Sequence, residues 1–167
     1  MTALLAAPAV EAWNDLFVAA AGAGAALAGL VFVAVSINVE RILQFRGLPE
    51  RGLITVLLLL SVVVVSLMGL VPEQGEKALG VHMLCSSLAV IALSGWLIWR
   101  SRPRPGEEHH VASTILIAAI GTVPFLVGAL LLLGGDDAGL YWAYAGITCA
   151  IVGGVANAWV LLVEILR

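Results

Sequence analysis

The sequence predicts an all-helical membrane protein with five transmembrane helices, its amino terminus outside and its carboxyl terminus in the cytoplasm. Three observations predict this fold: an apolar composition, five long apolar segments and a one-sided distribution of basic residues. Hydrophobic residues make up 62% of the 167 residues and charged residues 11%, whereas about a quarter of the residues of an ordinary soluble domain are charged. We therefore expect lipid, rather than water, to surround most of the chain.

Five apolar segments are each close to the roughly 20 residues that a helix needs to cross the hydrocarbon layer. Because backbone polar groups cannot remain unpaired in lipid, each segment is predicted to be helical throughout. The connectors between them are short, so residues 1–167 are predicted to form a single transmembrane domain. The predicted spans are residues 16–38, 52–71, 78–99, 111–133 and 141–166.

Basic residues indicate the side on which each connector lies, because cytoplasmic connectors retain Lys and Arg. Seven of the eight basic residues fall in the first connector, the third connector or the last position, and Lys77 alone falls elsewhere. An odd number of crossings independently places the two ends on opposite sides. The seven are Arg41, Arg46, Arg51, Arg100, Arg102, Arg104 and Arg167.

The five spans differ in side-chain size. The second, GLITVLLLLSVVVVSLMGLV, consists mainly of bulky branched residues and is predicted to face lipid. Small residues from Ala19 to Gly29 predict a central position for the first span, and the small residues of the fifth predict a contact ridge. These ridges exceed what five helices need for internal packing, so we expect a homo-oligomer. The ridge positions are Gly146, Ala150, Gly154 and Ala158.

Pro124 interrupts the hydrogen-bond ladder of the fourth span between Gly121 and Gly128. Proline in a helix interior removes one backbone hydrogen bond and commonly produces a kink. The sequence therefore predicts a bend near mid-membrane, which is either a hinge or a static feature.

The stretch AGAGAALAGLVFVAVSINVERIL, Ala21 to Leu43, is preceded by WNDLF and followed by GLPER. It resembles a group of small, uncharacterised bacterial membrane proteins, over about a quarter of the chain. The resemblance implies a multi-pass protein of a bacterial inner membrane. It implies no activity and no site.

The sequence contains no signature of an enzyme. It has no glycine-rich phosphate loop, no HExxH and no GxSxG, which carry phosphate, zinc and nucleophile chemistry. Its basic residues are not clustered as nucleic-acid binding requires. We expect neither catalysis nor nucleic-acid binding.

Polar residues inside spans are costly to insert and are candidate functional residues. Asn38 ends the first span, and Asn157 and Glu164 lie seven residues apart on one face of the fifth, a face continued by Gly146, Ala150 and Gly153. This face could line a narrow pathway or contact a partner helix. In the alternative, Asn157 bonds between helices and Glu164 pairs with Arg167 or a connector arginine.

A second group lies towards the predicted outer side. His82, Cys85, Cys149 and Met68 fall at similar depths, and thiolate, imidazole and thioether ligands favour copper(I) or another soft metal. In the alternative, Cys and Met fill space as apolar residues. No other cofactor is indicated.

Two further charged clusters lie outside the spans. His109 and His110 follow Glu107 and Glu108 and could respond to pH or bind a divalent ion. In the alternative, such runs more often form a solvated, acid-rich helix start that complements the helix dipole. The predicted outer side carries six acidic residues and a single basic residue, Lys77. This excess of negative charge would concentrate cations there. The acidic residues are Glu11, Asp15, Glu73, Glu76, Asp136 and Asp137.

These observations lead to three hypotheses. The first is a small channel or transport-type protein with cation preference, in which the first and fifth helices line or gate the path. The second is a non-catalytic accessory subunit of a larger membrane complex, bound through the small-residue ridges. The third is a metal or redox protein at the outer cysteines.

Overall fold

The computed structural model describes residues 9–44, 47–101 and 108–166, and within these helices the side chains at 9, 108–111, 161–162 and 164–166 are not described. All regular structure in this part of the chain is helical. A short 3-10 helix (Ala9–Trp13) leads into α1 (Asn14–Ile37), α2 (Val39–Ile42), α3 (Leu48–Gly69), α4 (Glu76–Ser101), α5 (Glu108–Gly134) and α6 (Ala138–Leu166).

The prediction of an all-helical fold with five spans is confirmed for the described residues. Five helices, α1, α3, α4, α5 and α6, are long and apolar enough to cross a membrane. Each of the five long helices begins two to four residues before the predicted start of its span. Helix α3 begins at Leu48 because Pro49 suits the first turn of a helix, where its missing N–H is not needed. Arg51, expected in a connector, therefore lies inside α3.

Consecutive spans run in opposite directions, so the helix ends gather into two groups. We name the end with Arg41, Arg51 and Arg100 the basic end, and the end with Glu76 and Asp137 the acidic end. The halves of the bundle next to them are the basic half and the acidic half.

Helix α3 occupies the centre of the bundle. It packs against α1 on one side and against α4 and α6 on the other, while α5 packs between α4 and α6. In the most apolar stretch of each helix, 56% of the residues are buried in α3 but only 22% in α1. The first helix is thus attached mainly through α3.

The predictions that the second span faces lipid and that the first is central are therefore wrong. Bulky side chains of α3 fill the space left by glycines on the neighbouring helices. Large residues of α3 therefore pack against small residues at each of these interfaces. A methyl group at each of these glycines would lie 2.9–3.0 Å from an α3 side chain. The contacts are Gly24 of α1 with Val63, Gly121 of α5 with Leu58, and Gly154 of α6 with Leu59.

The acidic half has the larger apolar core. It combines aromatic and aliphatic side chains from all five spans, and Trp13 stacks edge-on against Tyr141 at its rim with ring centroids 5.0 Å apart. Its fully buried members include Phe17, Val62, Leu79, Met83, Phe125, Leu132 and Leu140.

Helices α5 and α6 approach each other most closely in this half. A methyl group on Gly139 would lie 2.6 Å from the carbonyl oxygen of Gly128, and one on Gly128 would lie 2.8 Å from that of Gly139. Glycine at both positions lets the backbones touch. Helix α5 continues without interruption through the half-buried Pro124, and its role as a hinge stays a prediction.

Candidate functional site

A buried polar cluster joins α3 to α6 in the basic half. Its members are Arg51 and Thr55 of α3 and Asn157 of α6. Arg51 Nη2 donates to Asn157 Oδ1 at 3.2 Å. Asn157 Nδ2 donates to Thr55 Oγ1 at 2.5 Å and lies 3.4 Å from the carbonyl oxygen of Arg51. The amide of Asn157 thus bonds to three groups of α3.

The local sequence explains why these groups meet. Arg51 and Thr55 are four residues apart and share a face of α3, and the Thr55 hydroxyl donates to the Arg51 carbonyl at 2.9 Å. One turn before Asn157, Gly154 lies close to α3, and a methyl group there would lie 2.9 Å from Leu59 Cδ2. This close approach brings the short Asn157 side chain within reach of α3.

Burial makes the cluster energetically important. Thr55 and Asn157 have no solvent exposure, and Arg51 is only 7% exposed. A guanidinium remains charged in a protein, and charges within membrane-spanning helices are costly, so they typically mark functional sites. A buried charge with polar partners on a second helix is the strongest candidate site among the described residues.

Two further hydroxyl groups are buried in the same half. Thr114 of α5 is 4% exposed and Ser94 of α4 is 5% exposed. The Ser94 hydroxyl has no hydrogen-bond partner among the described residues. Helices α3, α4, α5 and α6 therefore each place at least one polar side chain in the interior of the basic half.

The structure does not bring the predicted pathway residues into contact with one another. Asn38 is half-buried at the end of α1, and its Nδ2 donates to the carbonyl of Ala34 in its own helix at 2.9 Å. Asn157 instead contacts α3. Glu164 lies on α6, but its side chain and all of Arg167 fall outside the described residues.

The predicted ridge on α6 contacts two helices. Gly146 lies against the ring of Phe125, and Ala150 lies beside Gly121, so both contact α5. Gly154 contacts α3, and Gly153 has Ile117 at its side. These residues form intramolecular contacts in this structure.

The predicted metal ligands do not form a ligand group. Among the described residues, no set of three or more His, Cys, Asp or Glu side chains is arranged to hold a metal ion. Both cysteines are free thiols, with Cys85 exposed and Cys149 half-buried.

His82 has a different partner. The buried amide of Gln74 lies 2.8 Å from His82 Nδ1. With its oxygen turned towards the ring, the amide accepts from His82 Nδ1 and from the Leu79 N–H at 3.3 Å, while its nitrogen donates to the Met68 carbonyl. This orientation satisfies all groups. Gln74 thereby ties the α3–α4 loop to the first turns of α4, and Met68 contributes its carbonyl.

Carboxyl groups gather at the acidic end, where the side chain of Glu76 at the start of α4 meets that of Asp137 in the α5–α6 turn. Asp136 Oδ1 in the same turn accepts from the Ala138 N–H at 2.9 Å and caps α6. Glu107 and the side chains of Glu108, His109 and His110 lie outside the described residues.

Sequence reasoning missed Arg51, Thr55 and Ser94. The signal for Arg51 was Pro49 in LPERG, which indicates a helix that begins before the arginine. Thr55 and Ser94 follow no distinctive pattern, because small hydroxyl residues are common at helix contacts in membranes.

Comparison of the chain with protein-family models, with curated proteins and with solved structures finds no match. The resemblance of the first span to small bacterial membrane proteins thus stays a prediction. The candidate site rests on its geometry alone.

Proposed function

We propose that the protein is a small channel or transport-type protein of a bacterial inner membrane, with the acidic end outside and the basic end in the cytoplasm. The seven-to-one distribution of basic residues supports this orientation. The path runs between α3 and the helices α4, α5 and α6. Helix α1, which is peripheral, is not part of it.

One observation carries the proposal: the buried guanidinium of Arg51, held by Asn157 across the α3–α6 contact. Arginine inside a bundle is retained at a cost, and such residues mark ion and substrate pathways. The acidic end attracts cations, and the charge of Arg51 opposes their passage through the basic half. The Arg51–Asn157 contact is then the closed gate of a cation path.

The test is ion flux into liposomes that contain the purified protein. Arg51→Met removes the positive charge and is expected to raise cation flux about tenfold, which corresponds to lowering the barrier by about 1.4 kcal/mol. Thr148→Val is the control, because Thr148 is exposed on α6 and its hydroxyl donates to the Tyr144 carbonyl of the same helix. Absence of cation flux in the original protein and in Arg51→Met would overturn the proposal.

A second candidate function, that of an accessory subunit, is supported by the outer face of α1. Gly22 and Gly29 share this face and have open space where a side chain would stand, and Ala25 and Ala26 between them are exposed. Small residues on a free face suit a close helix–helix contact in the membrane. The same face would serve a homo-oligomer or a different membrane protein.

This candidate is tested by Gly29→Ile. The change is expected to abolish crosslinked oligomers or a co-purifying partner without altering the fold of the monomer, since nothing lies within 4 Å of a methyl group at Gly29. Gly95→Ile is the matched control on α4, where the space is equally open. Crosslinking and co-purification that are the same in both variants would exclude α1 as the docking surface.

A further inference from the structure

The hydroxyl group of Ser94 is an exception among the buried hydroxyls of α4. A serine in a helix ordinarily donates to a carbonyl three or four residues earlier, as Ser87 does to Met83 at 2.8 Å. Ser94 is 5% exposed and has no hydrogen-bond partner among the described residues. A buried hydroxyl without a partner in the protein requires a solvating molecule or costs free energy.

Other buried polar side chains lie in the same half of the bundle as Ser94, namely Thr55 of α3, Thr114 of α5 and Asn157 of α6. Ser94 lies between Val90 and Leu97 on the buried face of α4, and these two pack with Ile54 and Leu58 of α3. Thr55 follows Ile54 in α3, and its hydroxyl bonds to Asn157 of α6. A buried water needs two to four polar partners, and the helices of the basic half contain several buried polar side chains.

Ser66 provides a comparison within the same protein. Its hydroxyl is also without a partner among the described residues, and it is fully buried on α3. It lies in the acidic half, on the face formed by Val62 and Gly69, where the ring of Phe17 covers Gly69. This apolar environment offers a water molecule too few partners.

We propose that water enters the bundle from the basic end, passes Arg51 and solvates the Ser94 hydroxyl, whereas the acidic half stays dry. The proposal rests on the proposed function and deepens it, because it identifies the hydrated part of the path and the side from which it fills. Arg51 opposes cations at this point but attracts water.

Cysteine accessibility tests this proposal directly. The chain has two cysteines, so Cys85→Ser with Cys149→Ser gives a thiol-free background for Ser94→Cys and, as the matched control, Ser66→Cys. Methanethiosulfonates react with the thiolate, and burial in apolar surroundings raises the pKa of a thiol by a unit or more. In native membranes, Ser94→Cys is expected to react at least about tenfold faster than Ser66→Cys.

The side of entry is measured with a membrane-impermeant reagent applied to one face at a time. Gln44→Cys, at an exposed position of the basic end, identifies that face. Ser94→Cys is expected to react from the same face as Gln44→Cys. Equal rates for Ser94→Cys and Ser66→Cys, or reaction of Ser94→Cys only from the opposite face, would overturn the proposal.

Thermal unfolding provides a second measurement that needs no reactive group. Replacing a dry hydroxyl by hydrogen removes a desolvated polar atom, so Ser66→Ala is expected to raise the Tm and Ser94→Ala is not. An equal rise for both would overturn the proposal.

The labelling and flux experiments can fail independently. Labelling of Ser94→Cys without ion flux would leave the water entry in place and refute only the channel function. Ion flux without labelling would refute the water entry and leave the channel function in place.

Discussion

The acidic and basic halves of the bundle are held together in different ways. In the acidic half, Phe17 and Phe125 fill the core and the backbones of α5 and α6 touch at Gly128 and Gly139. In the basic half, the apolar core is smaller and a charged residue with polar partners connects α3 to α6. Close packing thus dominates the acidic half, whereas the basic half contains the buried polar cluster.

The two halves are therefore expected to respond differently to substitution. A closely packed region cannot be altered without a loss of folding stability, because even one added methylene group strains the surrounding side chains. Polar contacts can be broken and replaced by water at a lower cost. We therefore expect the acidic half to be the rigid anchor of the protein and the basic half to be the part that changes conformation.

The largest effect is expected from overpacking the acidic half. Gly139→Val places a branched side chain against the Gly128 carbonyl and Leu132 and should lower the free energy of unfolding by about 3 kcal/mol. Gly95→Ala, at an exposed helical position with open space, should leave stability unchanged or raise it by up to about 1 kcal/mol. Unfolding in detergent measures both, and equal stability of the two variants would contradict the close α5–α6 contact.

The next effect concerns the polar contact in the basic half. Asn157→Leu removes three hydrogen bonds to α3 and leaves Arg51 with one partner fewer. We expect a loss of about 2 kcal/mol, since bonds to charged groups contribute about 1.5–3 kcal/mol. The same unfolding assay measures it, with Thr148→Val as the control. A stability within error of the original protein would show that the contact does not hold α3 to α6.

A smaller effect is expected at Thr55, which bonds to both other members of the cluster. Thr55→Val keeps the shape and removes the hydroxyl, so it should cost about 1 kcal/mol. Thr55→Ser restores the hydroxyl and should recover most of the loss. Unchanged stability of Thr55→Val together with a loss in Thr55→Ser would show that the methyl group, and not the hydroxyl, stabilises this position.

The smallest effect has the opposite sign. Ser66→Ala removes a fully buried hydroxyl that has no partner among the described residues and should stabilise the acidic half by about 0.5–1 kcal/mol. Urea or detergent titration at fixed temperature would detect it. A destabilisation would mean that the Ser66 hydroxyl is bonded.

The five spans could be predicted from sequence because span length depends only on the thickness of the membrane and on local hydropathy. The arrangement of the spans could not. Residue size was used to assign α3 to lipid and α1 to the centre, but a bulky residue is suited equally to lipid and to the space beside a glycine. Whether a bulky residue faces lipid or a neighbouring helix depends on the residue that it packs against, such as Gly24 for Val63.

The candidate site was predicted in part. Asn157 is conspicuous because an amide inside a span is rare, and its position in the chain was sufficient to select it. Its partners are 102 and 106 residues away in sequence, and no local pattern connects such distant residues. Arg51 was assigned to a connector by its charge, although the preceding proline indicates a helix.

The contact between Arg51 and Asn157 also has a consequence for biogenesis. Helix α3 is synthesised second among the five spans and α6 last, so the arginine enters the membrane border well before its amide partner exists. Until α6 arrives, the guanidinium must remain near the lipid headgroups. The buried position of Arg51 beside Asn157 can therefore form only after the last of the five spans has been synthesised.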